Sequence, residues 1–215
     1  MHIPDGFISP VTYLPLWGGT LVLWYWAFNK VTLESEQISF LATLSALSFV
    51  LMMIAIPLPA GTSAHLSAVA LISILFSPLL AFSAISMVLV IEALFFGVGG
   101  VSTVGINVMG IAFLGSFSAY FTYKILKTYN ETSALFLAGW MGMNVPALFV
   151  ALMLGLQSLI ASTEGGTPLF FPFDIKTTMI AVMLPHVLLG IVEGIITVTL
   201  YRFLKKNFKT VFEDE

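Results

Sequence analysis

The 215-residue sequence contains no cysteine. Disulfides, thiolate metal sites and cysteine nucleophiles are therefore excluded. Charge is scarce as well: 9% of residues are Asp, Glu, Lys or Arg, against roughly 25% in a soluble domain. No run of Lys and Arg offers a nucleic-acid patch. There is no HExxH helix for a zinc protease, no GxSxG nucleophile elbow and no Walker A loop. ATP hydrolysis would have to be supplied by other chains. Residues ahead of the first apolar run include no Lys or Arg, so the charged start of a secretory signal is missing. His2 is too bulky a second residue for efficient methionine removal, and Met1 is expected to be retained with its α-amine free.

What is present is apolar. The chain is 59% hydrophobic, with a mean hydropathy of +1.03, which marks an integral membrane protein. At about 20 residues per crossing, one all-α bundle of six to eight helices accounts for the length, a single transmembrane domain over residues 1–215. Residues 1–12 form a leading segment and 204–215 a charged tail. Spans are expected at about 13–29, 38–56, 106–125, 133–160 (interrupted at Asn144–Pro146) and 177–203. The second stops at Pro57 and Pro59, with Gly61 permitting a turn. The apolar stretch 65–96 is too long for one crossing. Ser77-Pro78 divides it into two short helices, the first opening at Thr62–His65 with Thr62 or Ser63 as its cap. That makes seven helices. Alternate connections and the tail carry Lys30, Lys124, Lys127, Arg202, Lys205, Lys206 and Lys209, while the opposite set holds only Lys176. This asymmetry puts the C-terminus in the cytoplasm and Met1, His2 and His65 together outside.

Those three residues suggest chemistry. A metal bound at the N-terminus closes a five-membered ring from the Met1 amine to the His2 amide, and a six-membered ring from that amide to His2 Nδ1. One more nitrogen completes a planar N4 set, which suits Ni(II) or Cu(II). His65 is either a hydrogen-bonded histidine at a helix start or that fourth nitrogen. Because the ligands shed protons, binding should fail in acid.

Other ionisable residues within spans are functional candidates. His186 and Glu193 are seven apart on one helical face, where interhelical hydrogen bonding is favoured over ligation. Glu92 either attracts a cation or bonds neighbouring backbone. Asn107 orients the site or caps its helix. Asp5 is a turn residue in Pro-Asp-Gly or an acceptor that fixes His2. Ala42 and Ala46 form a small-xxx-small pair that admits a close helix neighbour.

The stretches MHIPDGFISP, PLPAGTSAH, ALFFGVGGVSTVGIN, GGTPLFFPF and PHVLLGIVEGIIT, in that order, resemble the substrate-binding membrane subunits of energy-coupling-factor cobalt/nickel transporters, the CbiM/NikM family. The resemblance covers nearly the whole chain. It implies a six-helix substrate-binding bundle plus an added N-terminal helix. The metal would be held by the Met1 amine, the His2 amide and imidazole, and His65. Asp5, Ser63, Glu92 and Asn107 are candidates for supporting or selecting it. The resemblance further implies uptake of Ni2+ or Co2+ across a prokaryotic cell membrane, a step that serves cobalamin synthesis among other uses. The partners would be a transmembrane coupling subunit, against which Ala42 and Ala46 would pack, and two ABC-type ATPase subunits. A small accessory membrane subunit, where used, would be a separate chain. Val98 stands where the family commonly has an acidic residue, and Glu92 and Gly110 where it commonly has an amide.

Two rival classes frame the expectation. An intramembrane metalloenzyme would hold zinc on His65, His186 and Glu92. An ion-coupled secondary transporter would use Glu92 and Glu193, yet the internal repeats usual in that class are not visible.

Overall fold

A computed structural model describes residues 1–32, 35–58 and 61–208. Pro59, residues 33–34 of the first connection and the 209–215 tail with Lys209 lie outside the described residues. Helix α1 (Pro10–Lys30) starts on a proline, whose fixed φ suits the first helical position. Helix α2 (Ser35–Met53) follows, then a two-residue ribbon in which β1 (Ile56–Pro57) pairs antiparallel with β2 (Ser63–Ala64). Helix α3 (Val69–Leu75) is short. Ser77 then accepts from Leu80 N at 3.1 Å and caps α4 (Pro78–Ile91), which runs on as a π turn, Glu92–Phe96.

One continuous rod combines α5 (Val104–Asn107), a π segment (Val108–Leu114) and α6 (Gly115–Leu126). Helix α7 (Glu131–Gly155) is capped by Asn130, and the short α8 (Gln157–Ile160) extends it. Asp174 caps the long α9 (Ile175–Asn207), accepting from Thr177 N at 2.7 Å. Seven helical rods are thus present among the described residues. Four of them, Pro78–Phe96, Val104–Leu126, Glu131–Ile160 and Ile175–Asn207, are long and apolar enough to cross a membrane. Large apolar side chains such as Phe28, Phe95, Leu184 and Leu188 point outward, the inverted pattern expected of a protein solvated by lipid.

Helices α7 and α9 form the most extensive pair. Glycine makes that approach possible: a Cβ on Gly139 would lie 2.8 Å from Gly194 Cα. Without a hydrophobic driving force between helices in lipid, such close backbone packing is a main source of cohesion.

Two sequence expectations are corrected. No helix opens at Thr62–His65. The backbone there is extended because Ser63 and Ala64 pair with β1 and Leu58 N donates to Thr62 O. The Thr62 hydroxyl is buried without a partner and caps nothing. The helix begins instead at Val69, behind Ala68 in the left-handed region at φ 53°. Nor does Asn144–Pro146 interrupt the sixth rod: α7 runs through Pro146. Asn144 Nδ2 donates to Trp140 O at 2.8 Å, and neighbouring helices shield the one bond a proline removes.

Candidate metal site

Residues 1–9 fold into the end of the bundle rather than fraying. Ile3 and Ile8 are buried in a second core with Ile106, Val150, Leu154 and Phe171. Burying each isoleucine contributes about 1.5–3 kcal/mol. Polar ties then fix the segment's register. Asn107 Oδ1 accepts from Ile3 N at 2.9 Å while its Nδ2 donates to Ile3 O at 3.1 Å, and Thr103 Oγ1 donates to the same carbonyl at 2.6 Å. Ser9 N donates to Gln157 Oε1 at 2.9 Å.

Asp5 holds the glycine-rich turn. It accepts from Val101 N at 3.1 Å, from Ser102 N at 2.9 Å and from the Ser102 hydroxyl. Of the two roles considered for Asp5, acceptor for His2 is not the one observed. Gly100 lies so near Asp5 that a Cβ there would collide with it. Gly99 has φ +75°, and a Cβ on it would fall 2.9 Å from Asn107 Nδ2. The GVGG sequence is what lets this loop close over residues 2–5.

The chain's first nitrogens converge inside this plug. Met1, His2 and His65 are 1%, 4% and 1% exposed. The Met1 amine donates to Ser63 O in β2. The His2 and His65 rings stack with centroids 4.5 Å apart. His65 Nδ1 lies 3.2 Å from Leu66 O, which leaves Nε2 carrying the lone pair. His2 Nδ1 and His65 Nε2 are buried with no hydrogen-bond partner. Unpaired buried nitrogens are costly, and a metal would satisfy them.

Burial pushes the Met1 amine down to about 4, even though the Glu92 charge pulls the other way. It also lowers His2, against the contact with Glu92, and holds His65 well below the ordinary imidazole value. All three nitrogens therefore present lone pairs at neutral pH. Glu92 is fully buried in the π turn, with Oε2 3.3 Å from His2 Nε2, a contact outside hydrogen-bond geometry.

The remaining candidates separate. Ser63 contributes its carbonyl. His186 is buried on α9, with Nδ1 2.7 Å from Val182 O and Nε2 unpartnered. Glu193 binds backbone at the foot of the His65 segment. Ala42 and Ala46 are exposed on α2 and line an apolar groove with Ala84, Met87 and Phe96. Among the described residues no three His, Asp or Glu side chains gather as a metal-holding group. A zinc centre on His65, His186 and Glu92 is thus not assembled. Sequence reasoning missed Thr103 and Gln157, whose partners lie 100 and 148 residues away.

These features define a mostly helical membrane protein with a buried nitrogen cluster at one end. The chain belongs to the CbiM family: residues 2–210 match the family model for the cobalt uptake substrate-specific transmembrane region. It is 33% identical over 96% of its length to a fused nickel transport protein, NikMN, of Rhodobacter capsulatus, and spans 62% of that longer protein. It is 30% identical over its full length to the cobalt transport protein CbiM of Thermosipho melanesiensis, covering 91% of it. Its fold matches a crystal structure of a truncated transition metal transporter with TM-score 0.93 and 33% identity, over 96% of this chain and 99% of that one. The protein is a membrane protein of a metal-transport family.

Proposed function

We propose that this chain captures a single Ni2+ or Co2+ ion from outside the cell, as the substrate-specific subunit of an ATP-driven energy-coupling-factor transporter. The observation that carries this reading is the buried set of Met1 amine, His2 and His65 nitrogens, in which His2 Nδ1 and His65 Nε2 have no hydrogen-bond partner. The His2 amide, deprotonated on binding, would complete four nitrogens in a plane, a geometry that favours Ni(II). Glu92, 3.3 Å from the His2 ring, would raise the basicity of that ring and offset part of the ion's charge, as carboxylates behind metal-bound histidines do.

The orientation rests on the seven cationic residues of one set of connections against Lys176 of the other. The Met1 end would face outward and residues 1–9 would close over the ion as ligand and lid together. With no Walker A loop in the sequence, energy would come from two ABC-type ATPase subunits through a transmembrane coupling subunit. The exposed Ala42–Ala46 face of α2 would admit a partner helix closely. A small accessory membrane subunit would complete the assembly.

The direct test is titration of the purified chain with Ni2+ and Co2+ in detergent. One ion per chain, with the diamagnetic signature of planar Ni(II), is the expected result. Absence of stoichiometric binding by either ion contradicts the proposal.

A further inference from the structure

Glu193 sits midway along α9, buried in the bundle, where a carboxylate is expensive unless it has a task. Its bonds show the task. Oε1 accepts from Ala68 N at 2.7 Å and from Ser67 Oγ at 3.1 Å, while Oε2 accepts from Ser67 N at 3.1 Å. These donors precede α3, where the chain is neither strand nor helix and Ala68 takes the left-handed conformation, φ 53°. Glycine is the residue suited to that region, so an alanine there must be held by its surroundings. Irregular backbone at membrane depth is tolerated only where protein supplies its missing partners. Glu193 supplies two of them.

The same peptide is held from the opposite side. Ser48, buried on α2, donates its hydroxyl to Ser67 O. Ser67 is thus gripped at its N–H by α9 and at its carbonyl by α2, two residues beyond His65. The His65 ring has a single bond of its own, to the adjacent Leu66 carbonyl. Its place opposite His2 is set by the backbone that carries it.

We infer that Glu193 is a positioning residue for metal binding. From the last helix it fixes the Ser67–Ala68 backbone, and so brings His65 Nε2 to the His2 side of the cluster, with Ser48 as the opposing anchor. Metal affinity then depends on the relative placement of α2 and α9, although neither helix provides a ligand. This inference rests on the proposed metal site.

The experiment measures Ni2+ affinity and the visible absorption of the Ni-loaded protein for the native chain, Glu193→Gln, Ser48→Ala and His65→Ala. A form whose Met1 amine is acetylated is measured beside them. Glu193→Gln keeps the volume but turns an amide N–H2 toward a backbone donor. It is expected to weaken binding about 10–100-fold, the range for partners behind a metal ligand, and to move the absorption band toward that of His65→Ala. Ser48→Ala should shift both in the same direction by less. A purely structural role would lower thermal stability and leave affinity and band unchanged. A folded Glu193→Gln protein with native affinity and band overturns the inference. Should Glu193→Gln fail to fold, Ser48→Ala decides: native affinity and band there overturn it equally. If acetylation leaves native binding intact, the amine site itself is wrong. If acetylation abolishes binding while Glu193→Gln binds normally, only the role of Glu193 falls.

Discussion

The two ends of the bundle cohere by different means. At the Met1 end, bonds from Asn107, Thr103, Asp5 and Gln157 tie loops and the N-terminal segment together across about a hundred residues of sequence. Toward the other end, α7 and α9 meet through glycines, with Gly139 against Gly194 and Thr197. Polar pairs there include Tyr123–Tyr201 at 3.3 Å, Lys205–Glu131 at 2.9 Å and Arg202–Thr132 at 2.5 Å. The first region uses its polar groups to place a few nitrogens, whereas the second relies mainly on shape. Changes at the first should therefore act mainly on metal binding, and changes at the second mainly on stability.

The largest expected effect is at the cluster. His2→Ala removes an imidazole from the chelate and should reduce Ni2+ affinity by more than the ~100-fold typical of losing an outer partner. Calorimetric titration that still shows tight binding would break the contrast at its strongest point. Gly139→Ala puts a methyl group 2.8 Å from the Gly194 backbone and should cost about 1–3 kcal/mol of stability. Thermal unfolding should register the loss, and because the same methyl would lie 2.9 Å from Glu193 O, Ni2+ affinity should fall too, by less than in His2→Ala; a loss of affinity as large as that of His2→Ala would break the contrast.

Asn107→Ala leaves Ile3 N–H buried without its acceptor, at a cost of about 1–3 kcal/mol. Because that cost falls on the plug, amide exchange should accelerate in residues 1–9 before the helices respond. The plug should also answer to pH. The Met1 amine ionises at 8.0 when free and is pushed down to about 4 when buried. Between those values the released segment binds a proton that the docked one does not, so docking is fully favoured above pH 8 and weakens progressively toward pH 4. Exchange protection in residues 1–9, corrected for intrinsic rates, should fall over that window. Protection that is flat or rises in acid would contradict the buried neutral amine. The smallest effect is Lys205→Ala, whose half-exposed pair should change unfolding by less than ~1 kcal/mol.

Much of this was legible in the sequence because its causes are local. Scarce charge and long apolar runs mark the membrane helices, and Ser77-Pro78 marks the break before α4, since a serine cap and a proline at the first helical position act within three residues. The start of α3 was not legible. Thr62, Ser63 and Gly61 resemble a helix start, but pairing with β1 keeps that backbone extended. The left-handed Ala68 carries no residue signal at all, and the carboxylate that binds its N–H, Glu193, lies 125 positions away. Pro146 misleads for the opposite reason: in a packed membrane helix one missing bond need not end the helix. At the site, residue types pointed to Met1, His2 and His65. That Asp5 serves the 100–102 turn, and Asn107 the Ile3 peptide, depends on how the loops fold over one another.

The central claim is that the Met1 amine itself is a ligand, and acetylating that amine tests it most directly. Acetylation keeps every side chain but removes the amine's lone pair. Purified native and N-acetylated chains would be titrated with Ni2+ side by side. Stoichiometric binding by the native chain and none by the acetylated one is the predicted result. Equal binding by both would contradict the amine site and require the ion to be held elsewhere.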